Sequence, residues 1–335
     1  MVKFIPVRYQ SSYYPDDIQP QIQEVTCNFG TDHLERTTCL PFLSLHTDPS
    51  IVWEKYVGKG DKRKPIKDKI RYSKILPEFP TMFTNFNNLL DSGADCVSIL
   101  WSNESSGEQW GKEFAGFLVR LTEGIDQQRI KIIEIHSPFD TYCGSLDTFI
   151  KRYEPFEKVI LKTFPSAEIV IENQYTHKGK RRFGNFLLSN IEDIQRLSGL
   201  ISDSDLKLRL VLDIPQLLSA YYDNNVLEED HIKRVLDPLI DSDIRNNIRS
   251  THIWGYDINK KWGAHKADLN MYFGNNSKTK RCFLEKIHDL FNDGKRRYFV
   301  PEVSSDNAIQ TAQLIQSIVK DLKGPEAGVV FVDPD

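Results

Sequence analysis

The sequence predicts one closed (β/α)8 barrel, and three observations support this fold class. Eight short apolar runs recur along the chain, amphipathic helical patterns separate most of them, and each of the last four runs closes on a carboxylate or a histidine. Strands that alternate with helices pair in parallel through crossover connections, and eight such units close a barrel. The composition suits a globular protein with a large core, because 40% of the 335 residues are hydrophobic and 27% are charged.

The predicted elements follow from the order of these runs. The eight predicted strands span residues 24–29, 41–46, 96–101, 130–136, 168–173, 207–213, 249–254 and 297–303. Apolar residues at helical spacing within 79–90, 149–164 and 309–319 predict helices that cover the barrel. We therefore expect a single domain over residues 1–335, with a long charged insertion at about 47–78 and an extra C-terminal strand at 328–333.

Composition and patterning also exclude several classes of protein. The longest apolar runs, such as 130–135 and 208–212, are far shorter than the roughly 20 residues of a membrane-spanning helix. The N-terminal segment lacks the apolar core and cleavage site of a secretory signal. The five cysteines form no CxxC pair, which fits a reducing compartment. We expect a cytoplasmic protein without a membrane partner.

Four successive predicted strands end in residues that can bind a metal. The segments IVIEN, LRLVLDIPQ, IRSTHIWG and RYFVPEV carry Glu172, Asp213, His252 and Glu302. One such residue alone is more often a loop residue or a helix cap, but four in succession make coincidence the poorer explanation. Because the C-terminal ends of all barrel strands lie at one face, these side chains should converge there. Carboxylates and imidazole suit Zn²⁺, Mn²⁺, Mg²⁺ or Fe²⁺.

This order of residues resembles the xylose-isomerase-like TIM barrels. That superfamily includes sugar isomerases and epimerases and the endonuclease IV group, which is AP endonuclease family 2. The resemblance covers the order of the eight strands loosely and is specific from about Ile130 onward. It implies a divalent metal on Glu172, Asp213, His252 and Glu302, with Zn²⁺ or Mn²⁺ favoured and Mg²⁺ as a further option.

The endonuclease branch of this family has further ligands, which the chain keeps only in part. The resemblance implies that His136, in IEIHSP, can hold a second metal beside Glu172. Asp268, in ADLNMYFG, matches the Asp of an Asp-x-His pair in which Asn270 replaces the His. Gln216 likewise stands where Asp213 should begin Asp-x-x-His, so the third metal of that branch is expected to be absent.

The strand-three histidine of the endonuclease branch has no counterpart in the predicted third strand. The segment SILWSN offers Trp101 and Asn103 at that place. On this basis the sequence predicts a site with one or two metals.

The leading functional hypothesis is a metal-dependent phosphodiester hydrolase similar to the endonuclease IV group. The loop after predicted strand five contains Lys180, Arg181 and Arg182, which would contact a phosphate-bearing substrate such as a nucleic acid. The overall net charge of −4 argues against a protein that coats DNA.

Two alternatives remain open at this stage. One is a sugar isomerase or epimerase with a single Mn²⁺ or Mg²⁺, in which Glu172 and Glu302 move a proton while Gln216 and Asn270 bind the hydroxyls of a small sugar. The other is a non-catalytic barrel whose active site has decayed.

Overall fold

Eight parallel strands close into a barrel, which confirms the predicted (β/α)8 TIM-barrel fold. A computed structural model describes residues 1–9, 14–27, 34, 39–47, 56–57, 64–65, 74–91, 101, 107–175, 185–220, 227–240, 243–257, 264–305 and 307–334. The barrel strands are β1 (Val2–Arg8), β2 (Ile22–Cys27), β3 (Phe42–Thr47), β4 (Ile130–His136), β5 (Glu168–Glu172), β6 (Arg209–Asp213), β7 (Ile248–His252) and β8 (Arg296–Val300).

The strands pair in chain order around the barrel, and β1 also pairs with β8 to close it. The pairing register aligns the C-terminal ends of neighbouring strands. His136 of β4 lies opposite Glu172 of β5, and Asp213 of β6 lies opposite His252 of β7. The register therefore brings metal-capable side chains of neighbouring strands close together at the C-terminal end of the barrel.

One predicted strand was wrong, and one barrel strand was not predicted. Residues 96–100 of the predicted third strand lie outside the described residues, and Trp101 lies in a turn. Because β3 pairs directly with β4, the barrel has no place for a strand from this segment. The barrel strand that was not predicted is β1 (Val2–Arg8). Its sequence VKFIPVR contains a proline, which makes a strand harder to predict.

Helices cover the outside of the barrel. They are α1 (Pro80–Asp91), α2 (Gly107–Leu121), α3 (Asp140–Cys143), α4 (Leu146–Thr163), α5 (Ile191–Ser202), α6 (Ile214–Ser219), α7 (Glu229–Ile240), α8 (Ile244–Asn247), α9 (Leu269–Tyr272), α10 (Ser277–Phe291) and α11 (Ala308–Lys323). Side chains of Ser145, Asn190 and Asn307 accept hydrogen bonds from the first turns of α4, α5 and α11, which fixes where these helices begin.

The barrel interior is apolar below the C-terminal ends of the strands. Its buried side chains form one cluster, which comprises Ile5, Val7, Ile22, Ile132, Val170, Val211, Tyr298 and Val300. A much larger apolar cluster lies between the strands and the surrounding helices. Because side chains alternate along a strand, the position two residues beyond each inner apolar residue also faces inward.

Further strands lie outside the barrel. A ninth strand of the barrel sheet, β9 (Val329–Phe331), pairs in parallel with the first residues of β1, and a separate antiparallel pair joins Tyr56–Val57 to Lys64–Pro65. Most of the charged segment at about 47–78 lies outside the described residues. No described helix combines the length and apolar character that crossing a bilayer requires.

A buried ion pair near the N-terminal end of β8 should contribute strongly to stability. Arg297 is 1% exposed, and its guanidinium donates two hydrogen bonds to Asp293, of 2.7 and 2.6 Å. Burial acts to raise the pKa of Asp293, but Arg297 outweighs it and lowers that pKa to about 2. We expect Asp293→Ala to lower the free energy of unfolding by about 3 kcal/mol, because it leaves a buried guanidinium without a counter-ion. Urea unfolding followed by circular dichroism measures this.

The matched control for this prediction is an exposed pair of the same kind. Arg281 donates to Glu285 across 2.8 Å, and both side chains are exposed. Glu285→Ala should leave the urea midpoint of unfolding nearly unchanged, since solvent screens such pairs. Equal losses in Asp293→Ala and Glu285→Ala would contradict the buried-pair interpretation.

Candidate metal centre

The four predicted metal ligands of the last strands come together inside the barrel. Ligand atoms of Glu172, Asp213, His252 and Glu302 all lie within 4.8 Å of one another, and all four residues are buried. Three of them stand two residues beyond an inward-facing residue: Glu172 after Val170, Asp213 after Val211 and Glu302 after Val300. The alternation of side chains therefore aims these three into the space that His252, the last residue of β7, also enters. We call this set of four residues site B.

A second set, site A, lies beside site B and shares one residue with it. It consists of His46, Glu134, His136 and Glu172, whose ligand atoms also lie within 4.8 Å of one another. The structure thus brings the predicted second-metal residue His136 next to Glu172. A third overlapping set joins Glu24, His46 and Glu302.

Three members of these sets, Glu24, His46 and Glu134, were not predicted as site residues from the sequence. The prediction that the strand-three histidine has no counterpart was wrong, because the third barrel strand is Phe42–Thr47 and carries His46. A usable signal was present, since Glu134 precedes His136 by two residues and must share its inward face. Glu24 likewise follows the inward-facing Ile22 by two residues.

Glu172 presents one oxygen to each of the two donor sets, site A and site B. Its Oε2 lies 2.5 Å from His136 Nε2 and 4.0 Å from His46 Nε2, on the side of site A. Its Oε1 lies 3.5 Å from His252 Nδ1 and accepts a hydrogen bond of 3.2 Å from Gln216 Nε2, on the side of site B. A carboxylate placed in this way can bridge two neighbouring cations.

Hydrogen bonds fix the position of Asp213. Its Oδ1 accepts from the backbone N–H of Gln216 across 2.9 Å and so caps α6. Its Oδ2 accepts from Trp254 Nε1 at 2.9 Å and from Gln216 Nε2 at 2.8 Å. The Asn173 side chain makes two hydrogen bonds of 3.0 Å to the backbone of Asp213. This carboxylate is therefore held rigidly at the edge of site B.

Two other predicted site residues lie elsewhere in the fold. Asp268 caps α9 through Met271 N and accepts a 2.6 Å hydrogen bond from Ser317 Oγ, so its carboxylate serves a helix terminus. Asn270 hydrogen-bonds Asp268 and Lys280. Neither residue belongs to a metal-capable set in the described part of the chain. The basic residues Lys180, Arg181 and Arg182 lie outside the described residues.

The donor set fits divalent cations. Five buried carboxylates and three histidines meet here. Among the described residues, the four glutamates form ion pairs with histidines, and none of the five carboxylates pairs with a lysine or an arginine. Several buried polar atoms also lack a hydrogen-bond partner within the described ranges, namely Glu24 Oε2, Glu134 Oε1, His136 Nδ1, Gln216 Oε1 and both ring nitrogens of His252. Mixed carboxylate and imidazole donors suit Zn²⁺ or Mn²⁺. Residues that could hold a metal ion are thus present.

Buried histidines carry the compensating charge of the metal-free site. Burial acts to lower the pKa of His46 and of His252. Glu24 and Glu134 outweigh burial at His46, and Glu134 and Glu302 outweigh it at His252, so both pKa values lie well above 6.5. Burial, with Glu172 and Glu302, raises the pKa of Asp213 well above 3.8. Burial opposes ionisation of Glu172, yet His136 holds its pKa well below 4.5. Protons therefore occupy positions that cations can take over.

Comparisons with known proteins find the fold in solved structures alone. No protein-family model and no curated protein matches this chain. A crystal structure described as AsfvAP:AG is 12% identical, covers 89% of this chain and 96% of its own, and has a TM-score of 0.46.

Two further solved structures carry names of the xylose-isomerase-like class. A xylose isomerase domain containing protein from Salmonella typhimurium LT2 is 13% identical over 73% of this chain and 80% of its own, with a TM-score of 0.43. A sugar phosphate isomerase/epimerase from Parabacteroides distasonis is 9% identical over 90% and 93%, with a TM-score of 0.36. Identities and scores this low assign no activity, so function is inferred from the site itself.

Proposed function

We propose that this chain is a metal-dependent hydrolase that acts on phosphodiesters and holds two divalent cations side by side. The observation that carries the proposal is the position of Glu172, whose two oxygens face two separate donor sets. Site A offers His46 and His136 beside Glu172 Oε2, and site B offers the other three predicted ligands beside Glu172 Oε1. Paired cations are typical of enzymes that displace oxygen at phosphorus.

The cations and the chain have separate tasks in this proposal. When bound, the cations would stabilise the negative charge that develops on phosphoryl oxygens and make water acidic enough to react at neutral pH. The chain holds the donors in a barrel interior that excludes bulk solvent, since Glu172, Asp213 and His252 are at most 1% exposed. A substrate must therefore present its phosphate at the C-terminal mouth of the barrel.

Tyr9 supports a role in substrate binding at that mouth. It follows β1, is half-buried, and stands two residues beyond the inward-facing Val7. Burial and the charges of Glu302 and Glu24 raise its pKa, so the phenol keeps its proton. A protonated phenol can donate a hydrogen bond to a phosphate oxygen. A contact of Lys180, Arg181 or Arg182 with the phosphate stays a prediction from the sequence.

Metal-dependent cleavage of phosphodiesters tests the proposal. Protein stripped with a chelator and reloaded with Zn²⁺ or Mn²⁺ should hydrolyse bis(p-nitrophenyl) phosphate or nick abasic DNA, undamaged DNA or RNA, and the stripped protein should not. Glu157→Gln serves as the control, because Glu157 is buried but binds Tyr153 and Lys207 N, away from the centre. A loaded protein that binds two cations yet cleaves none of these substrates would contradict the proposed reaction.

A sugar isomerase or epimerase is the second candidate. It is favoured by one observation: Glu172 Oε1 and Glu302 Oε2 approach His252 Nδ1 to 3.5 and 3.3 Å, so two carboxylates flank one donor set. Such an enzyme would exchange solvent deuterium into ketoses with one bound Mn²⁺ or Mg²⁺. Exchange without phosphodiester cleavage would favour this candidate. A protein that takes up no metal at micromolar concentration would instead favour the non-catalytic barrel.

A further inference from the structure

Two buried glutamates of the centre are not among the ligands named in the proposed function, although Glu134 lies within site A and Glu24 lies beside His46 and Glu302. Glu24 and Glu134 project inward from β2 and β4 and are 4% and 1% exposed. Burying a carboxylate is costly unless it is paired or hydrogen-bonded. Each of the two lies next to a different histidine, and this pairing indicates the role of each glutamate.

Glu24 lies next to Nδ1 of His46, the ring nitrogen that faces away from site A. Its Oε1 lies 3.1 Å from His46 Nδ1, at hydrogen-bonding distance and geometry. The opposite ring nitrogen, Nε2, lies 3.0 Å from His136 Nε2 and 4.0 Å from Glu172 Oε2, inside site A. A proton on Nδ1, held by Glu24, leaves the Nε2 lone pair free to bind a cation in site A.

Glu134 stands in the same relation to His252, with the two ring nitrogens exchanged. Its Oε2 lies 3.3 Å from His252 Nε2. His252 Nδ1 instead faces site B, at 3.5 Å from Glu172 Oε1 and 3.3 Å from Glu302 Oε2. His252 is fully buried, and neither ring nitrogen has a hydrogen bond in the described part of the chain. A proton on Nε2, attracted by Glu134, directs the Nδ1 lone pair into site B.

We infer that Glu24 and Glu134 are positioning residues of the metal centre: Glu24 accepts a hydrogen bond from Nδ1–H of His46, and the carboxylate of Glu134, 3.3 Å from Nε2 of His252, favours a proton on that nitrogen. His46 would then offer Nε2 to a cation, and His252 would offer Nδ1. Buried carboxylates of this kind orient the ring and increase the basicity of the coordinating nitrogen. The inference rests on the metal centre of the proposed function and is independent of the reaction catalysed there.

Metal affinity separates positioning from a purely structural role. Glu24→Leu and Glu134→Leu should each weaken Zn²⁺ binding about 10- to 100-fold in a chelator competition, as loss of such partners does elsewhere. Glu24→Gln and Glu134→Gln keep an acceptor oxygen and should recover most of the affinity. The metal-free leucine variants should still fold cooperatively in thermal melts, because each replaces a carboxylate that is costly to bury by an apolar side chain of similar size.

The choice of ring nitrogen gives a second, direct readout. In ¹⁵N-histidine NMR spectra of the Zn²⁺-loaded protein, His252 should show a protonated Nε2 and a coordinated Nδ1, and His46 the reverse. Glu157→Gln is the matched control, since that glutamate is buried in a different part of the fold and should leave affinity and spectra unchanged. A coordinated His252 Nε2, or unchanged affinity in both leucine variants, would overturn the inference.

The experiment also separates this inference from the proposed reaction. Normal Zn²⁺ binding with the expected ring nitrogens, but without phosphodiester cleavage, would support the positioning role and contradict the hydrolase. Absence of any Zn²⁺ binding by the parent protein would overturn both.

Discussion

Glu172→Gln is expected to abolish binding of both cations and to reduce the metal-dependent rate by well over about 100-fold. The reason is geometric, because Glu172 is the residue common to sites A and B and faces each with a different oxygen. Glutamine replaces one of these oxygens by an N–H donor, which cannot bind a cation, and removes the negative charge. Loss of an outer partner of a ligand already costs about 10- to 100-fold. Loss of a ligand shared by two cations must cost more.

Metal content and rate should be measured on the same samples. After dialysis against Zn²⁺ or Mn²⁺, the parent should hold two equivalents of metal and Glu172→Gln fewer than one. Glu157→Gln should match the parent in metal content and rate, since its partners are Tyr153 and the backbone of Lys207. Retention of two equivalents by Glu172→Gln would show that Glu172 does not bridge the sites.

The isomerase candidate, with one cation in site B, and the hydrolase, with two cations, predict different metal contents for His46→Ala. Under the two-cation proposal this variant should lose one equivalent of metal, because His46 belongs to site A and lies outside site B. An isomerase with one cation in site B would keep its metal content unchanged. The metal content of this one variant therefore discriminates between the two candidate functions.

The second half of the barrel was predictable because its strands are continuous apolar runs with polar ends. In β5, β6 and β7 the buried residues define the strand clearly, and the terminal Glu172, Asp213 and His252 follow directly. Parallel pairing then places these ends at one face of the barrel. No knowledge of the loops was needed for this step.

The first half was harder to predict for a physical reason. The β1 sequence VKFIPVR is short, contains Pro6 and stands at the N-terminus, whereas 96–101 is more β-rich but lies outside the barrel order. Residues 96–101 were counted as a barrel strand and Val2–Arg8 was not. The predicted first and second strands, 24–29 and 41–46, therefore correspond to β2 and β3. His46 was therefore not identified as the strand-three histidine, although it lies near the end of β3.

The buried carboxylates of Glu24 and Glu134, which lie inside strands, were also not predicted as site residues. Glu24 and Glu134 each interrupt an apolar strand, and such residues usually point to solvent. Here the inner face becomes polar near the mouth of the barrel, so the same alternation that buries Ile22 and Ile132 also buries Glu24 and Glu134. Only the three-dimensional arrangement shows which histidine each one faces.

The metal-free protein should lose stability as the pH rises from about 6 to 9. The pKa values of His46 and His252 are raised above 6.5 in the folded state, so each contributes stability that is complete below pH 6.5 and is lost above it. Asp213 and Glu24, whose pKa values are also raised, lose their contribution from about pH 4 upward. A pKa that differs by one between the folded and the unfolded chain corresponds to about 1.4 kcal/mol of stability.

The carboxyl groups with lowered pKa values act only at the acidic end of this range. The pKa values of Glu172 and Glu302 lie below 4.5 in the folded state, where burial is outweighed by His136 and His252 respectively. Their contribution is present above pH 4.5 and is lost as the pH falls through the folded pKa. Between pH 6 and 9 they are ionised in both folded and unfolded chains. The slope there is therefore set by the groups with raised pKa values.

Bound cations should reverse this dependence, because they replace the protons that the centre otherwise holds. Metal binding requires deprotonated ligands, so the melting temperature gained from Zn²⁺ or Mn²⁺ should increase from pH 6 to 9. At a free concentration 100 times the dissociation constant, each cation adds about 2.7 kcal/mol. Thermal melts across this range, with and without metal, measure the effect, and His252→Asn should flatten the metal-free profile. A metal-induced gain that is greatest at pH 6 would show that protons and cations do not compete for these side chains.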